Sequence, residues 1–108
     1  MGDIRTIQFE SADWRRKNFP EEHRTAALQV LGVCEEAGEL AHAVLKMTQG
    51  IRGTEAEHRA DAADALGDIF IYMCGVADEL NIDLEAEIKE TWQRVAMRDW
   101  TTNPGDGS

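Results

Sequence analysis

The apolar positions of this chain recur every three or four residues, which is the period of an amphipathic helix. Three such segments span about residues 4–17, 22–48 and 54–80, and a fourth begins at residue 84. No segment alternates in the way of a β-strand, and no internal repeat occurs. The pattern therefore predicts an all-α fold of four helices with short connections.

Residues that start or stop helices lie between these segments. Pro20 separates the first two, because proline is tolerated at a helix start but not inside a helix. Thr54 precedes Glu57 by three residues, which is the spacing of a capping box at the start of the third helix. Asn81 suits the end of that helix, and Asp83 suits the N-cap of the fourth.

The apolar stripes identify the side chains that are expected to face the core. They are Leu28, Leu31, Cys34, Val44 and Leu45 in the second segment, Leu66, Ile69, Phe70, Met73, Ala77 and Leu80 in the third, and Leu84, Ile88, Trp92 and Val95 in the fourth. With 108 residues the chain has the size of one domain with a modest core. We expect one helical domain over residues 1–100, a flexible tail over residues 101–108, and a core completed by dimerisation.

The composition limits the classes of partner. A formal net charge of −10 argues against a nucleic-acid polymer, because binding its phosphates needs a basic surface. A small phosphorylated ligand remains compatible, since a bound metal can invert the local charge. No apolar stretch has the length of a membrane span, and the first ten residues lack the pattern of a secretory signal. Cys34 and Cys74 lie in apolar helical runs and are expected to be buried thiols in a cytoplasmic protein.

Two groups of carboxylates occur on successive helices beside the apolar stripes. They are Glu35, Glu36 and Glu39 in the second segment and Asp61, Asp64 and Asp68 in the third. Acids three, four or seven residues apart share a helix face, and the first group has no basic partner four residues on. Most charge runs are solvated surface. The repulsion between two such groups instead predicts a hard divalent cation here, and with it a phosphate-bearing substrate.

Two motifs of the chain are similar to those of a known family. They read Glu35-Glu36-x-x-Glu39 and Asp64-Ala65-Leu66-Gly67-Asp68. From about residue 18 to residue 100 the chain resembles the MazG-like nucleoside triphosphate pyrophosphohydrolases, whose hallmark is a Glu-Glu-x-x-Glu helix followed by a Glu-x-x-Asp helix. The resemblance implies a four-helix bundle that assembles as a homodimer or homotetramer. It also implies hydrolysis of a (d)NTP to a (d)NMP and pyrophosphate with magnesium, or manganese as a substitute, and a role in cleansing the nucleotide pool.

The chain departs from this hallmark at Ala65, where the family has the glutamate of its second motif. Asp64, one turn before Asp68, is expected to supply the missing oxygen, and Asp61 is the alternative. By the resemblance, the metal ligands are Glu36, Glu39, Asp68 and one of Asp64 and Asp61. Glu35 is then expected to bind a second metal or to act as the base that polarises the attacking water.

Other residues are of the types that contact a nucleotide. Lys46, Arg52 and Arg98 carry charges that suit phosphates, although each is equally well explained as a surface cation. Trp14 and Asn18 offer an aromatic face and an amide, which are the groups used in base recognition. Packing in a core or a dimer interface is the alternative for Trp14. A small-molecule nucleotide is thus the expected partner.

Two other functions are compatible with the sequence. Glu39-x-x-His42 and Glu55-x-x-His58 match the Glu-x-x-His pairs of di-iron carboxylate bundles. The second pair follows a glycine-containing loop and should lie at the end of the bundle, so both histidines are expected to be solvent-exposed instead. The other possibility is a non-catalytic dimerisation or regulatory module whose acidic groove binds a basic partner.

Overall fold

The computed structural model describes residues 2–108, and its regular structure is entirely helical. Its elements are α1 (Asp3–Asn18), a 3₁₀ turn (Glu21–His23), α2 (Ala26–Gln49), α3 (Glu55–Glu79) and α4 (Leu84–Ala96). This part of the chain contains no β-strand, so the predicted all-α fold with four α-helices is confirmed. None of these helices combines the length and the apolar character needed to cross a membrane.

The antiparallel pair of α2 and α3 is the centre of the molecule. These two helices contact each other most extensively, while α1 packs against α3. Small residues lie in their seam, with Gly32 of α2 against the ring of Tyr72 and Gly75 of α3 against Gln29. The two helices therefore approach closely, because no Cβ atom separates them at these points.

Replacing Gly32 by alanine is expected to destabilise the fold, whereas replacing Gly67 by alanine is expected to stabilise it. A Cβ atom at Gly32 would lie 2.3 Å from the Tyr72 ring, so the ring or a helix must move, at a cost of about 1–3 kcal/mol. A Cβ atom at Gly67 has no neighbour within 4 Å beyond its own stretch of helix, so alanine contributes about 0.5–1 kcal/mol there. Urea denaturation of the two variants measures both free energies of unfolding. Equal changes in the free energy of unfolding of the two variants would contradict the close approach of Gly32 to the Tyr72 ring.

The caps confirm the predicted starts of α3 and α4. Thr54 Oγ1 accepts a hydrogen bond from the backbone N–H of Glu57 (3.1 Å), and Glu57 Oε1 accepts one from the N–H of Thr54 (3.0 Å). Asn81 has a left-handed backbone (φ 57°), which ends the preceding helix. Asp83 Oδ1 accepts a hydrogen bond from the N–H of Ala86 (3.2 Å).

The start of α2 differs from the predicted one. The helix begins at Ala26 rather than at residue 22, because the residues after Pro20 form the separate 3₁₀ turn. Thr25 is its N-cap and accepts a hydrogen bond from the N–H of Leu28 (3.3 Å). Four residues of the predicted helix thus belong to the connection between α1 and α2.

Small side chains, and not the large apolar ones, fill the interior of the single chain. The fully buried apolar residues are Ala12, Ala43, Ala65, Cys74 and Ala77. The prediction that Leu31, Leu66 and Leu80 face the core is wrong for the single chain, since they are 62%, 57% and 54% exposed. Cys34 is exposed as well, against prediction, whereas Cys74 is buried as predicted. The close contact of small residues leaves these larger side chains on the outer faces of the helices.

Glu85 of α4 caps the first turn of α1. The N-cap of α1 is Gly2, which has no side chain for this purpose. The backbone N–H of Arg5 donates to Glu85 Oε1 (3.3 Å), and the Arg5 guanidinium pairs with Glu85 Oε2 and with Asp83 Oδ2, both at 2.9 Å. The backbone hydrogen bond and the guanidinium lower the pKa of the Glu85 carboxyl. This buried carboxylate therefore joins the first and the last helix.

The apolar row of α4 is uncovered within residues 2–108. Leu84 and Ile88 are half-buried, while Trp92 and Val95 are exposed. The main contact of α4 is with α1, at the end that carries Glu85. The predicted core stripe of this helix is therefore an apolar surface of the single chain.

The chain after α4 turns back on itself around Trp100. The N–H of Asp99 donates to the carbonyl of Gly107 (2.7 Å), and the N–H of Gly107 donates to the carbonyl of Asn103 (2.8 Å). Gly107 lies against the indole of Trp100, where a Cβ atom would be 2.9 Å from the ring. The flexibility predicted for residues 101–108 concerns motion and stays a prediction.

Candidate metal centre

Three carboxylates of α2 converge on one point. Each of Glu35, Glu36 and Glu39 contributes an oxygen, and these oxygens lie within 4.8 Å of one another. Their helical spacing of three and four residues produces this convergence. Glu36 points toward α3 and is only 8% exposed, whereas Glu35 and Glu39 are exposed. The predicted first acidic group is therefore brought together around one buried member.

The carboxyl of Glu36 has an unsatisfied oxygen. Its Oε2 is shielded from solvent and has no hydrogen-bond partner within residues 2–108. Its pKa is raised to about 6, chiefly by burial and also by a hydrogen bond with Glu39 and by the negative charges of Glu39, Asp68 and Glu35. A buried carboxylate among other carboxylates is costly unless a proton or a cation compensates it. The chemistry of this donor set, which is oxygen only, fits magnesium or manganese.

The acids of α3 lie on the other side of the seam, outside the group of converging oxygens that the described residues form. Asp68 is half-buried, and its charge acts on Glu36. A cleft of about 410 Å³, here called the acidic cleft, is lined by Glu35, Gly38, Glu39, His42, Ala43, Asp61 and Asp64. The structure thus brings the six predicted acids to one seam. Asp61 and Asp64 line the same cleft, so both remain alternatives for the missing ligand.

Ala65 is a buried residue of α3 that lies next to Asp64 and three residues before Asp68. It is 3% exposed and is one of the few apolar side chains buried in the single chain. Asp64 and Asp68 flank it on the same turns of α3. A methyl group at this position lets α3 lie close to α2, and the carboxylates nearest to it in the sequence are those of the two aspartates.

The two histidines of the di-iron alternative occupy different environments. His42 lines the acidic cleft, a position that its spacing from Glu39 indicates. The prediction that His58 is exposed is wrong: it is 6% exposed, and its Nε2 lies 2.9 Å from the carbonyl oxygen of Ile51. His58 thereby holds the loop between α2 and α3. Glu55 pairs with Arg59 (3.1 Å), so the second pair of a di-iron site does not face the cleft.

A second cleft lies beside the metal centre, on the side of α1. It measures about 480 Å³, is here called the aromatic cleft, and is lined by Trp14, Arg15, Phe19, His23, Leu28, Gln29, Asp68, Ile71 and Tyr72. The rings of Trp14 and Phe19 meet edge to face at 5.6 Å. Asp68 lines this cleft and also acts on Glu36, so the two regions adjoin. A cleft of this size with flat apolar walls suits a planar ring.

Two buried polar side chains line the aromatic cleft. Arg15 is 5% exposed, and its Nη1 and Nη2 have no hydrogen-bond partner within residues 2–108. Burial lowers the pKa of Arg15, and the charge of Asp78 opposes this. Gln29 is 6% exposed, and no side-chain hydrogen bond joins its amide to residues 2–108. Arg15 occurs in a polar run of α1, which carries no signal of burial. Gln29 is the one polar side chain in the apolar run of residues 26–33, and this isolation is the signal that could have identified it.

The other predicted substrate contacts lie outside both clefts. The Asn18 amide donates to the carbonyl of Trp14 (2.8 Å), and Lys46 donates to Gln49 Oε1 (3.0 Å). Arg52 lies in the loop after α2, and Arg98 follows α4. Trp14 is the predicted substrate residue that lines a cleft.

Metal binding is expected to weaken as the pH falls through about 6. The Glu36 carboxyl has a pKa of about 6, and it must be ionised to coordinate a cation. Above this pH the carboxylate is available, and below it the proton competes, so affinity should fall about tenfold per pH unit. Calorimetric titration with manganese at about pH 7.5 and about pH 5 tests this. An unchanged affinity would exclude Glu36 as a ligand.

No protein-family model matches the sequence, and no curated protein is significantly similar to it. The resemblance to MazG-like enzymes therefore depends on the two acidic motifs and their surroundings.

Proposed function

We propose that the protein is a metal-dependent nucleoside triphosphate pyrophosphohydrolase of the MazG-like type. It would convert a (d)NTP and water to a (d)NMP and pyrophosphate, and serve to cleanse the nucleotide pool. The observation that carries the proposal is the unsatisfied Glu36 Oε2 in a convergent group of carboxylates, beside an aromatic cleft. A cation would compensate the carboxylate group, and a nucleobase would fill the aromatic cleft beside it.

The carboxylates would hold magnesium, with manganese as a substitute. Glu36, Glu39 and Asp68 are the ligands in this proposal, with Asp64 or Asp61 as a further one. Bound there, the ion neutralises phosphate charge and orients water. Glu35, exposed beside the three ligands, accepts the proton of the water that attacks the α- or β-phosphorus. Attack on the α-phosphorus breaks its bond to the oxygen that bridges the α- and β-phosphorus, and pyrophosphate leaves. Attack on the β-phosphorus breaks the other bond of that oxygen, and the nucleoside monophosphate leaves.

The aromatic cleft would hold the base of the same nucleotide. Trp14 offers an exposed indole face there, and Asp68 lies where the cleft meets the carboxylates. Lys46, Arg52, Arg98 and Asn18 remain proposed contacts of the phosphates and the base. Lys46 follows Glu39 by seven residues, which is about 10 Å along a helix and within the span of a triphosphate and a lysine side chain.

A homodimer or a dimer of dimers is the proposed assembly. The single chain buries few large apolar side chains and exposes the row of α4 together with Leu31 and Leu66. Apolar surfaces that are large and contiguous usually mark an interaction site. A second subunit would cover it and complete the core.

Pyrophosphate release with magnesium and a panel of canonical and modified (d)NTPs tests the activity. We expect turnover of at least one nucleotide, and its loss in Glu39→Ala. Glu10→Ala is the matched control, because Glu10 is exposed on α1 away from the centre. A folded protein that neither turns over any nucleotide nor binds magnesium would refute the proposal and leave the non-catalytic acidic groove. Bound iron with a charge-transfer band would favour the di-iron alternative.

A further inference from the structure

The buried polar atoms of the aromatic cleft lack partners of a definite kind. The guanidinium of Arg15 has hydrogen-bond donors only, and its two terminal nitrogens are unsatisfied within residues 2–108. Asp78, the acid whose charge acts most on Arg15, forms an ion pair with Arg16 at 3.5 Å. Buried donors without partners are rare in proteins and need an explanation. An acceptor-bearing ligand is one that the cleft can accommodate.

Gln29 adds a second group that can recognise a ligand. Gln29 is 6% exposed and lines the cleft, its side chain lies against Gly75, and its amide offers one acceptor and two donor hydrogens. The close approach at Gly75 fixes the position of this amide, because the glutamine side chain fills the space of the absent Cβ. Arg15 and Gln29 therefore give the wall of the aromatic cleft more hydrogen-bond donors than acceptors.

We propose that the aromatic cleft selects nucleobases with a keto oxygen at C6 of a purine or at C4 of a pyrimidine, as in hypoxanthine, guanine, uracil and thymine, and that Arg15 and Gln29 read that oxygen. This inference depends on the proposed function and specifies its substrate class. Adenine and cytosine carry an amino group where hypoxanthine and uracil carry the oxygen. Their N–H donors would face the donors of Arg15, so that both remain unsatisfied.

A nucleobase fits the cleft better than a free phosphate does. The walls include Trp14, Phe19, Leu28, Ile71 and Tyr72, which favour a flat, largely apolar ring. The carboxylate of Asp68 also lines the cleft and would repel an anion when no metal is bound. Arg15 alone would attract a phosphate, so a phosphate in this cleft is a competing outcome of the test.

Nucleoside monophosphates that differ in one exocyclic group test the inference without metal or turnover. Titrations of the ¹⁵N-labelled protein compare inosine with adenosine monophosphate and uridine with cytidine monophosphate, and follow the Trp14 indole and Gln29 amide signals. We expect the keto member of each pair to bind roughly tenfold to a hundredfold more tightly, which is the discrimination of one good base contact. Shifts of the Gln29 amide should accompany the tighter binding.

Two variants assign the preference to these residues. Arg15→Met and Gln29→Leu should each reduce the preference to less than about threefold, whereas Arg16→Met should leave it unchanged, since Arg16 is exposed and lies outside the cleft. If Arg15→Met does not fold, Gln29→Leu decides. Equal affinities within each pair, a preference that survives both cleft variants, or inorganic phosphate shifting the same signals as strongly would overturn the inference. Hydrolysis is measured separately, so an inactive protein with a keto preference refutes the activity and not the base selection.

Discussion

Glu36→Gln is expected to abolish metal binding while the fold stays intact or becomes more stable without metal. The amide has the shape of the carboxyl but not its charge, and Glu36 is the buried member of the carboxylate group. Mutation of a residue that merely hydrogen-bonds to a metal ligand lowers metal affinity roughly 10–100-fold. Loss of the ligand Glu36 itself should therefore lower it about 100-fold or more. Hydrolysis of NTPs should fall by at least the same factor.

In the metal-free protein the same substitution should have a favourable effect, because it should stabilise the fold. The pKa of Glu36 in the fold, about 6, lies above the ordinary value of 4.5, so the folded state binds this proton more tightly than the unfolded state. The stabilisation by the proton is fully present below about pH 4.5 and is lost as the pH rises through about 6. The Glu36→Gln variant has no proton to release at this position and so loses no stability in this way. Without metal it should melt at a higher temperature than the native protein at neutral pH.

Calorimetric titration with magnesium and manganese, and melting curves with and without metal, measure both effects. Glu10→Gln is the control, because it removes one exposed negative charge from α1 and leaves the centre unchanged. If Glu36→Gln binds metal as the native protein does, the centre is not a cation site. If it only unfolds the chain, the buried carboxyl has a structural role.

Trp92→Glu is expected to convert the protein from an oligomer to a monomer. Trp92 lies in the middle of the apolar row of α4 and is 65% exposed in the single chain. Tryptophan is enriched among residues that dominate interfaces, where its loss typically costs about 2 kcal/mol or more, or roughly 30-fold in affinity. A carboxylate in the same place adds the cost of burying a charge without a partner.

Light scattering coupled to size exclusion measures the mass of the native protein and the variant over a range of concentrations. The matched control is Gln93→Glu, which adds the same charge to the opposite face of α4. We expect the control to keep the native mass. A native protein that is monomeric at high concentration, or a Trp92→Glu variant that stays oligomeric, would refute assembly through this row.

Local patterns in the sequence predict the elements of the fold well. The capping box at Thr54 and the cap at Asp83 use side chains within three residues of their partners, so spacing alone specifies them. The convergence of Glu35, Glu36 and Glu39 follows in the same way from the helical period. Features of this kind depend only on neighbours in the chain.

The sequence does not predict which of two adjacent helix faces meets the partner helix. Leu66 belongs to an apolar stripe, but the seam uses the small face at Ala65, and Leu66 is exposed. Burial of Arg15 and Gln29 likewise results from the packing of α1 and α2 against α3, which no local spacing encodes. His58 is buried because it bonds to a loop carbonyl seven residues earlier, a contact that requires the loop conformation.

The contact between Arg5 and the start of α4 makes the aromatic cleft sensitive to ionic strength. The side chains of Arg5 and Asp83 are about half exposed, and salt at about 0.1 M screens such pairs over roughly 10 Å. α1 supplies Trp14 and Arg15 to the cleft, about 14 Å along the helix from Arg5. Salt that weakens the attachment of α1 at its first turn would loosen that wall of the cleft. Ligand affinity in the cleft would thus depend on counterions at the far end of the same helix.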